Sequence, residues 1–251
     1  MKNIIKKYII KEREEIEHLK CSNLKMQVQL KFLSFIKSEN FSEITQNLKF
    51  SNSQFLQDLF VLNSVNFKKN GYFVEFGATN GVDLSNTYLL EKKFGWRGIL
   101  AEPCKSWHAE LNANRSCLIE KDCVYDKTGD SINFLEAKDG NYSVISKYSN
   151  IDTFGFKRRK AKEYTVNTIS LVDLLLKYDS PRDIDYLSID TEGSEYEILN
   201  SFDFNKYSIK IVTCEHNYSH NRDNIYRLMS RNGYRRVYAD ISQCDDWYVK
   251  G

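Results

Sequence analysis

Two groups of residues in this chain have the types and spacing for chemistry. The first lies in YFVEFGATNG, from Tyr72 to Gly81. An apolar run leads into Glu75 and then a glycine turn, and a helix-forming stretch follows from Leu84. This is the pattern of a buried strand opening on a tight loop and a helix, the usual cradle for a nucleotide-like cofactor. Gly77 and Gly81, with Ala78 between them, let backbone approach a ligand where a side chain would block it. The dinucleotide pattern G-x-G-x-x-G is absent, because Ala78 and Thr79 stand where a second glycine belongs. The Glu75 carboxylate would also repel a pyrophosphate. It suits a cationic ligand, and S-adenosylmethionine carries a sulfonium and an α-amino group. Twenty-one residues after Gly81, Glu102 ends a second apolar run. A carboxylate at that strand tip can accept both hydroxyls of a ribose. Each half alone is common, but in this order they favour a cofactor site over a structural βαβ unit.

The second group is Asp190 and Glu192 after YLSID, with Glu215 and His216 after KIVTCE. In open α/β sheets, reacting groups collect beyond the carboxyl ends of strands, so these four side chains are expected to converge. Carboxylates and an imidazole near an acceptor hydroxyl can align it and remove its proton. His216 is a candidate general base because an imidazole titrates near neutrality. Clustered like charges favour a shared proton or a bound cation. Asp190 and Glu215 are therefore candidate ligands for Mg²⁺ or Mn²⁺, which would acidify the hydroxyl. The plainer readings are a structural hydrogen bond for His216 and a helix-entry role for Glu192, with Ser194 capping the helix that follows.

The chain resembles the FkbM-type S-adenosylmethionine-dependent methyltransferases. The matching segments are SQFLQD (Ser53–Asp58), GYFVEFGATNGVDLSNTYLLEKKFGWRGILAEP (Gly71–Pro103), NTISLVDLL (Asn167–Leu175), DYLSIDTEGSEYEIL (Asp185–Leu199) and CEHN (Cys214–Asn217), in order over about four fifths of the chain. Leu56 departs from the pattern where a glycine is expected, and Asn80 where an aspartate is frequent. The resemblance implies a Rossmann-like sheet of seven strands with the last antiparallel. It also implies methyl transfer to oxygen, on a sugar hydroxyl of a surface glycan or its precursor. Around the cofactor, Ser85 and Asn86 are expected to begin the helix after the glycine loop and contact the methionine end. Asp122 and Cys123, after the third strand, are expected at the adenine. Gln54, Gln57 and Asp58 could close over the methionyl group, or form only a capped surface helix.

The elements that must position these groups follow from periodicity. Strands are expected at Tyr72–Phe76, Gly98–Glu102, Cys117–Glu120, Ser131–Glu136, Asp185–Asp190, Lys210–Glu215, Tyr234–Ala239 and Trp247–Val249. Helices are expected at Leu84–Phe94, Trp107–Asn112, Leu171–Lys177, Glu195–Leu199 and Asn224–Arg231. This alternation implies a doubly wound α/β sheet. Ala137–Glu163 reads as a long irregular insertion with a basic run, Lys157 to Lys162, of the kind that covers a substrate or clamps a phosphate; a solvated charge run is the plainer alternative.

Residues 1–50 read as a helical N-terminal extension and 51–251 as the cofactor-binding domain. Within 1–37, Ile5, Ile9, Glu12, Ile16, Leu19, Asn23, Met26, Leu30 and Leu33 follow a coiled-coil rhythm. That stripe would support a homodimer, or else lie against its own domain.

The 36 basic and 34 acidic residues leave a net charge of +2, which gives no strong field toward nucleic acid. Six cysteines show no C-x-x-C or Cys/His clustering and read as small core residues of a reducing compartment. With no run long enough for a membrane span or a signal sequence, a cytoplasmic protein is expected. A non-enzymatic adaptor of the same fold, assembling through its N-terminal helix, is the competing class. A dehydrogenase is disfavoured by the altered glycine pattern.

Overall fold

The computed structural model describes residues 22–151 and 155–251. A helix over residues 22–35 (α1) leads to α2 (Ser38–Asn47) and α3 (Gln57–Ser64). The chain continues through β1 (Tyr72–Phe76), α4 (Tyr88–Phe94), β2 (Arg97–Ala101), α5 (His108–Asn114), β3 (Leu118–Glu120), β4 (Cys123–Tyr125), β5 (Ser131–Glu136), β6 (Val144–Ile145) and β7 (Lys162–Ser170). It ends with α6 (Leu171–Lys177), β8 (Asp183–Ile189), α7 (Glu195–Ser201), β9 (Ser208–Glu215), α8 (Arg222–Arg231), β10 (Tyr234–Val237) and β11 (Asp245–Lys250).

Seven strands form one sheet in the order β10-β11-β9-β8-β1-β2-β3. β11 runs antiparallel to both its neighbours, and the β9-β8-β1-β2-β3 pairs are all parallel. The last strand of the chain is thus the reversed one, as the resemblance implied. The central strands are apolar on both faces because helices cover both. Val74, Ile99, Leu187 and Val212 face a layer that includes residues of α6, α7 and α8. Phe73, Leu100, Tyr186 and Ile211 face the layer that includes α1, α3 and α4. Strand order, not strand direction, reverses at β1, so the crevice between the carboxyl ends of β1 and β8 is the switch point where ligands bind in such sheets.

Three expectations need correction. The helix after the glycine loop begins at Tyr88, not Leu84, and Leu84 itself has φ +60°. Ser85 and Asn86 therefore lie in the loop rather than starting the helix. Ser131–Glu136 is a strand, but it belongs to a second sheet of order β4-β7-β5-β6. That sheet also holds Lys162–Ser170, a strand the sequence reading missed, and β6 inside the stretch read as irregular. β7 pairs antiparallel with β5 over six residues, from Ser131↔Asn167 to Glu136↔Lys162. It is exposed on one face and mostly polar, which hides a strand from a search for apolar runs.

At the N-terminus, Ile5 to Leu19 fall outside the described residues. Along α1 the buried side chains are Val28 and Phe32, followed by Ile36 just beyond it, and Phe32 lies 6.2 Å from the Tyr238 ring. This part of the helix packs on its own domain. Met26 and Leu30 of the predicted seam remain 57% and 64% exposed.

Candidate active site

A cavity of about 380 Å³ opens at the carboxyl ends of β1, β2, β8 and β9. Seven acidic side chains line it, and among the described residues no lysine, arginine or histidine does. Its field is therefore set by carboxylates, which favours cations and groups that donate hydrogen bonds.

The floor is the turn after β1. Gly77 has φ +75°, and a Cβ there would meet the backbone oxygen of Asp190 at 2.0 Å. No other residue fits where β1 and β8 approach so closely. Ala78 lines the cavity beside it, whereas Gly81 supports the turn from behind, against Arg115 and Leu111. Glu75 reaches across to residues 85–87. It accepts hydrogen bonds from the Asn86 N–H (2.7 Å), the Ser85 hydroxyl and the Thr87 hydroxyl. Arg115, fully enclosed, lies 3.8 Å from Glu75 and 2.6 Å from Glu91. It also donates to Gly81 O, Ser85 Oγ and Thr87 Oγ1. Burial raises the Glu91 pKa, but Arg115 outweighs it and holds the carboxyl at about 2. Glu75 is thus occupied by its own loop, and the reading of it as an open anion for a cationic ligand is corrected to that of an anchor. Asn86 stays available: its side-chain oxygen is buried without a partner and it lines the cavity.

Glu102, just past β2, accepts the N–H groups of Thr79 and Cys104, each at 2.8 Å. A carboxylate has about four acceptor positions, so two remain for ligand hydroxyls. Burial, partly offset by those two hydrogen bonds, pushes Glu102 up to about 7. Cys123 lines the cavity, and its neighbour Asp122 does not. Gln54 and Gln57 also line it, with Gln57 Nε2 bonded to Asp245 at 2.8 Å. Asp58 does not. It is fully buried and accepts from Ser51, Ser53 and the Leu59 N–H, so it organises the loop rather than facing the cavity. Leu56, where a glycine was expected, has φ +69°, which explains that expectation.

Beyond the β8 and β9 ends, the carboxylates of Asp190, Glu192 and Glu215 lie within 4.8 Å of one another. Burial raises both the Asp190 and Glu215 pKa values, and Glu215 is raised further by the Asp190 charge. Carboxyls this close cannot both ionise cheaply, so the pair holds a proton into the neutral range. Glu192 is anchored differently: Arg158, buried in the insertion, donates to it at 2.8 Å. Glu192 has φ +59°, and Glu195 steadies the turn by accepting from the N–H groups of Thr191 and Gly193. Ser194, expected as a cap, bonds Thr191 Oγ1 instead.

His216 is not with them. Its ring is buried behind the strand end, Nδ1 accepting from the Tyr218 N–H and Nε2 lying 3.7 Å from Asp246. Burial lowers its pKa to about 4 despite Asp246. In place of His216, Asp245 joins the acid cluster from β11, where it is paired in register with Glu215. Burial raises Asp245 to about 6. Sequence reasoning missed Asp245 and Arg115, since neither sits in a motif; antiparallel return of the last strand brings Asp245 to the site. The insertion supplies a further wall through residues 140–143 and Ile145.

The model of the FkbM methyltransferase domain matches residues 75–236. The chain belongs to this family. The FkbM family implies S-adenosylmethionine as methyl donor, and this chain's residues fit it. A side-chain-free approach exists at Gly77, Asn86 offers an unpartnered buried oxygen, Glu102 has spare acceptor positions, and the cavity is acidic throughout. Among curated proteins none matches. Among solved structures, a Pyrococcus horikoshii protein named for RNA methyltransferase activity aligns at 12% identity and TM-score 0.36, over 72% of this chain and 67% of its own. A precorrin-6Y C5,15-methyltransferase from Geobacter metallireducens aligns at 10% identity and TM-score 0.39, over 76% and 85%. Both likenesses are loose, and the fold of this FkbM chain rests on its own strand order.

Proposed function

We propose that this chain is an S-adenosylmethionine-dependent O-methyltransferase acting on a sugar hydroxyl of a glycan or glycan precursor. The observation that carries the reading is the Asp190–Glu215 pair, two close carboxyls raised by burial, Glu215 further by the Asp190 charge, beside the Gly77 turn in one cavity. Bound S-adenosylmethionine supplies an electrophilic methyl group on a sulfonium. Glu102 would hold the ribose hydroxyls, Asn86 and Gln54 the methionine end, and Cys123 the adenine side. Asp190 or Glu215, whichever is ionised, accepts the acceptor hydroxyl's proton as the oxygen attacks. Raised basicity suits this task, since a carboxylate of ordinary pKa is too weak a base for an alcohol. Asp245 keeps the pair's basicity up by its nearby charge.

A second reading has Asp190, Glu192 and Glu215 holding a divalent cation, for which three carboxylates are a suitable hard-oxygen set. Chelation separates the two. Turnover abolished by chelator and restored by Mg²⁺ or Mn²⁺ selects the cation; turnover indifferent to chelator selects the proton-sharing pair.

The primary test is calorimetric titration with S-adenosylmethionine, followed by methyl transfer to a panel of glycosides. Wild type that fails to bind, or a Glu102→Ala variant that binds equally well, refutes the cofactor assignment. Intact cofactor binding without transfer to any glycoside favours the adaptor.

A further inference from the structure

Past the end of β9 the chain makes a turn that ordinary residues avoid. Asn217 and Tyr218 have φ of +42° and +55°, consecutive left-handed positions without a glycine. Such backbone is strained at Tyr218, less so at Asn217, and persists only where surroundings hold it. Here they do. The N–H groups of His216 and Asn217 both donate to Cys244 O, at 2.8 and 3.2 Å, tying the turn to the start of β11. His216 Nδ1 accepts the Tyr218 N–H at 3.0 Å. The His216 and Tyr218 rings meet edge to face, 5.3 Å apart at 74°.

That machinery presents one thing: the Tyr218 ring, 69% exposed and lining the cavity that holds Asp190 and Glu215. An aromatic side chain gains little by standing in water, so strained backbone that keeps it there points to a ligand. We infer that Tyr218 is the platform on which the acceptor's sugar ring stacks, with Asn217 beside it contacting ring hydroxyls. This inference rests on the glycan reading above and narrows it to a pyranose ring.

Two properties of the site select that class. The aromatic face is the negative pole of the ring quadrupole and attracts the slightly positive C–H face of a pyranose. Seven carboxyl groups line the cavity and, among the described residues, no basic side chain does, so its walls accept more hydrogen bonds than they donate and favour a ligand rich in donors. A polyhydroxyl ring supplies them on its edge while its face lies on tyrosine. An acidic acceptor would be repelled by the same walls, and an open-chain polyol has no face to stack. His216 is a positioning residue in this arrangement, acting on the acceptor only through Tyr218.

The experiment titrates wild type saturated with S-adenosylmethionine with methyl gluco-, galacto- and mannopyranosides and with sorbitol. Binding is followed by saturation-transfer NMR. A pyranoside is expected to bind, with its C–H face receiving saturation, and sorbitol to bind more weakly. Tyr218→Ala should weaken pyranoside affinity about tenfold, while Tyr218→Phe, which keeps the face, stays within about twofold. Cofactor affinity should be the same in all three proteins. Equal pyranoside binding by wild type and Tyr218→Ala overturns the inference, as does wild type that binds none of the three pyranosides. Methyl transfer is scored separately. Stacking lost in Tyr218→Ala, with no transfer to any glycoside by wild type, supports the platform and sinks the transferase reading.

Discussion

The two acidic groups of this site are a few residues from one another in space and opposite in design. Glu75 is engaged by its own surroundings: three hydrogen bonds from residues 85–87 and a buried guanidinium from Arg115. Asp190, Glu215 and Asp245 share a cavity that no lysine, arginine or histidine lines among the described residues. The first arrangement fixes a loop and has little left for a ligand. The second holds charges in a state that folding alone disfavours, and such groups are the ones able to take up a proton or a cation. Acids of one cavity therefore divide into those that build it and those that react in it.

Arg115 carries the largest share of the building role. Arg115→Ala leaves Glu75 and Glu91 buried without their cation and should destabilise the fold by about 3–5 kcal/mol. Chemical denaturation measures it. A loss under about 1 kcal/mol would mean the web is not holding the loop.

Asp190→Asn should act in the opposite direction on stability. Turnover is expected to fall at least about a hundredfold. Calorimetry should find cofactor affinity nearly unchanged, and the variant should melt higher than wild type at pH 8. Lower melting at that pH would show that Asp190 is not under repulsion.

Burial of these acids, with repulsion added, gives wild type a pH signature. Glu102 and Asp245 titrate at about 7 and 6 in the folded chain, and Asp190 and Glu215 are raised too. Folded carboxyls thus hold protons that the unfolded chain has released, so stability falls as pH rises through that window. His216 opposes this. Its folded pKa of about 4 lies below its unfolded value, so its contribution is lost as pH falls. Four carboxyls against one imidazole decide the sign, and the cofactor-free protein should melt lower at pH 8 than at pH 5.5. Glu102→Gln should shrink the difference. A melting temperature that climbs across this range contradicts the assignment.

A smaller effect is expected at Leu56. Glycine would relieve the left-handed backbone, worth about 1 kcal/mol. It would also remove a side chain only 2% exposed, worth about 2 kcal/mol. Leu56→Gly should therefore destabilise by roughly 1 kcal/mol, since burial outweighs strain. The smallest effect lies farthest from the site. If a homodimer forms through the exposed stripe, Met26→Lys with Leu30→Lys should yield monomer by size-exclusion chromatography and leave cofactor affinity untouched. Monomeric wild type removes the assembly role.

The seven sheet strands and the acids of β1, β2, β8 and β9 were legible in sequence. Each is a local signal: a run of apolar residues ending in a turn with an acid or glycine. The family resemblance added to those signals that seven strands share one sheet and that the last of them is reversed. What stayed hidden was of another kind. β7 alternates polar and apolar because one face is solvated, and it is a strand by virtue of β5 and β4 on either side. Asp245 reaches the acid pair only because β11 returns antiparallel beside β9. His216 follows Glu215 directly in sequence, yet the turn after β9 sends its ring behind the strand end, among Asp246 and Arg222. Adjacent residues past a strand point to different sides, and which side meets the cavity depends on the strands packed around them. The sequence by itself determined which residue types stand at the carboxyl edge of the sheet. Tertiary structure decided which of them meet there, because proximity across strands comes from pairing and not from distance along the chain.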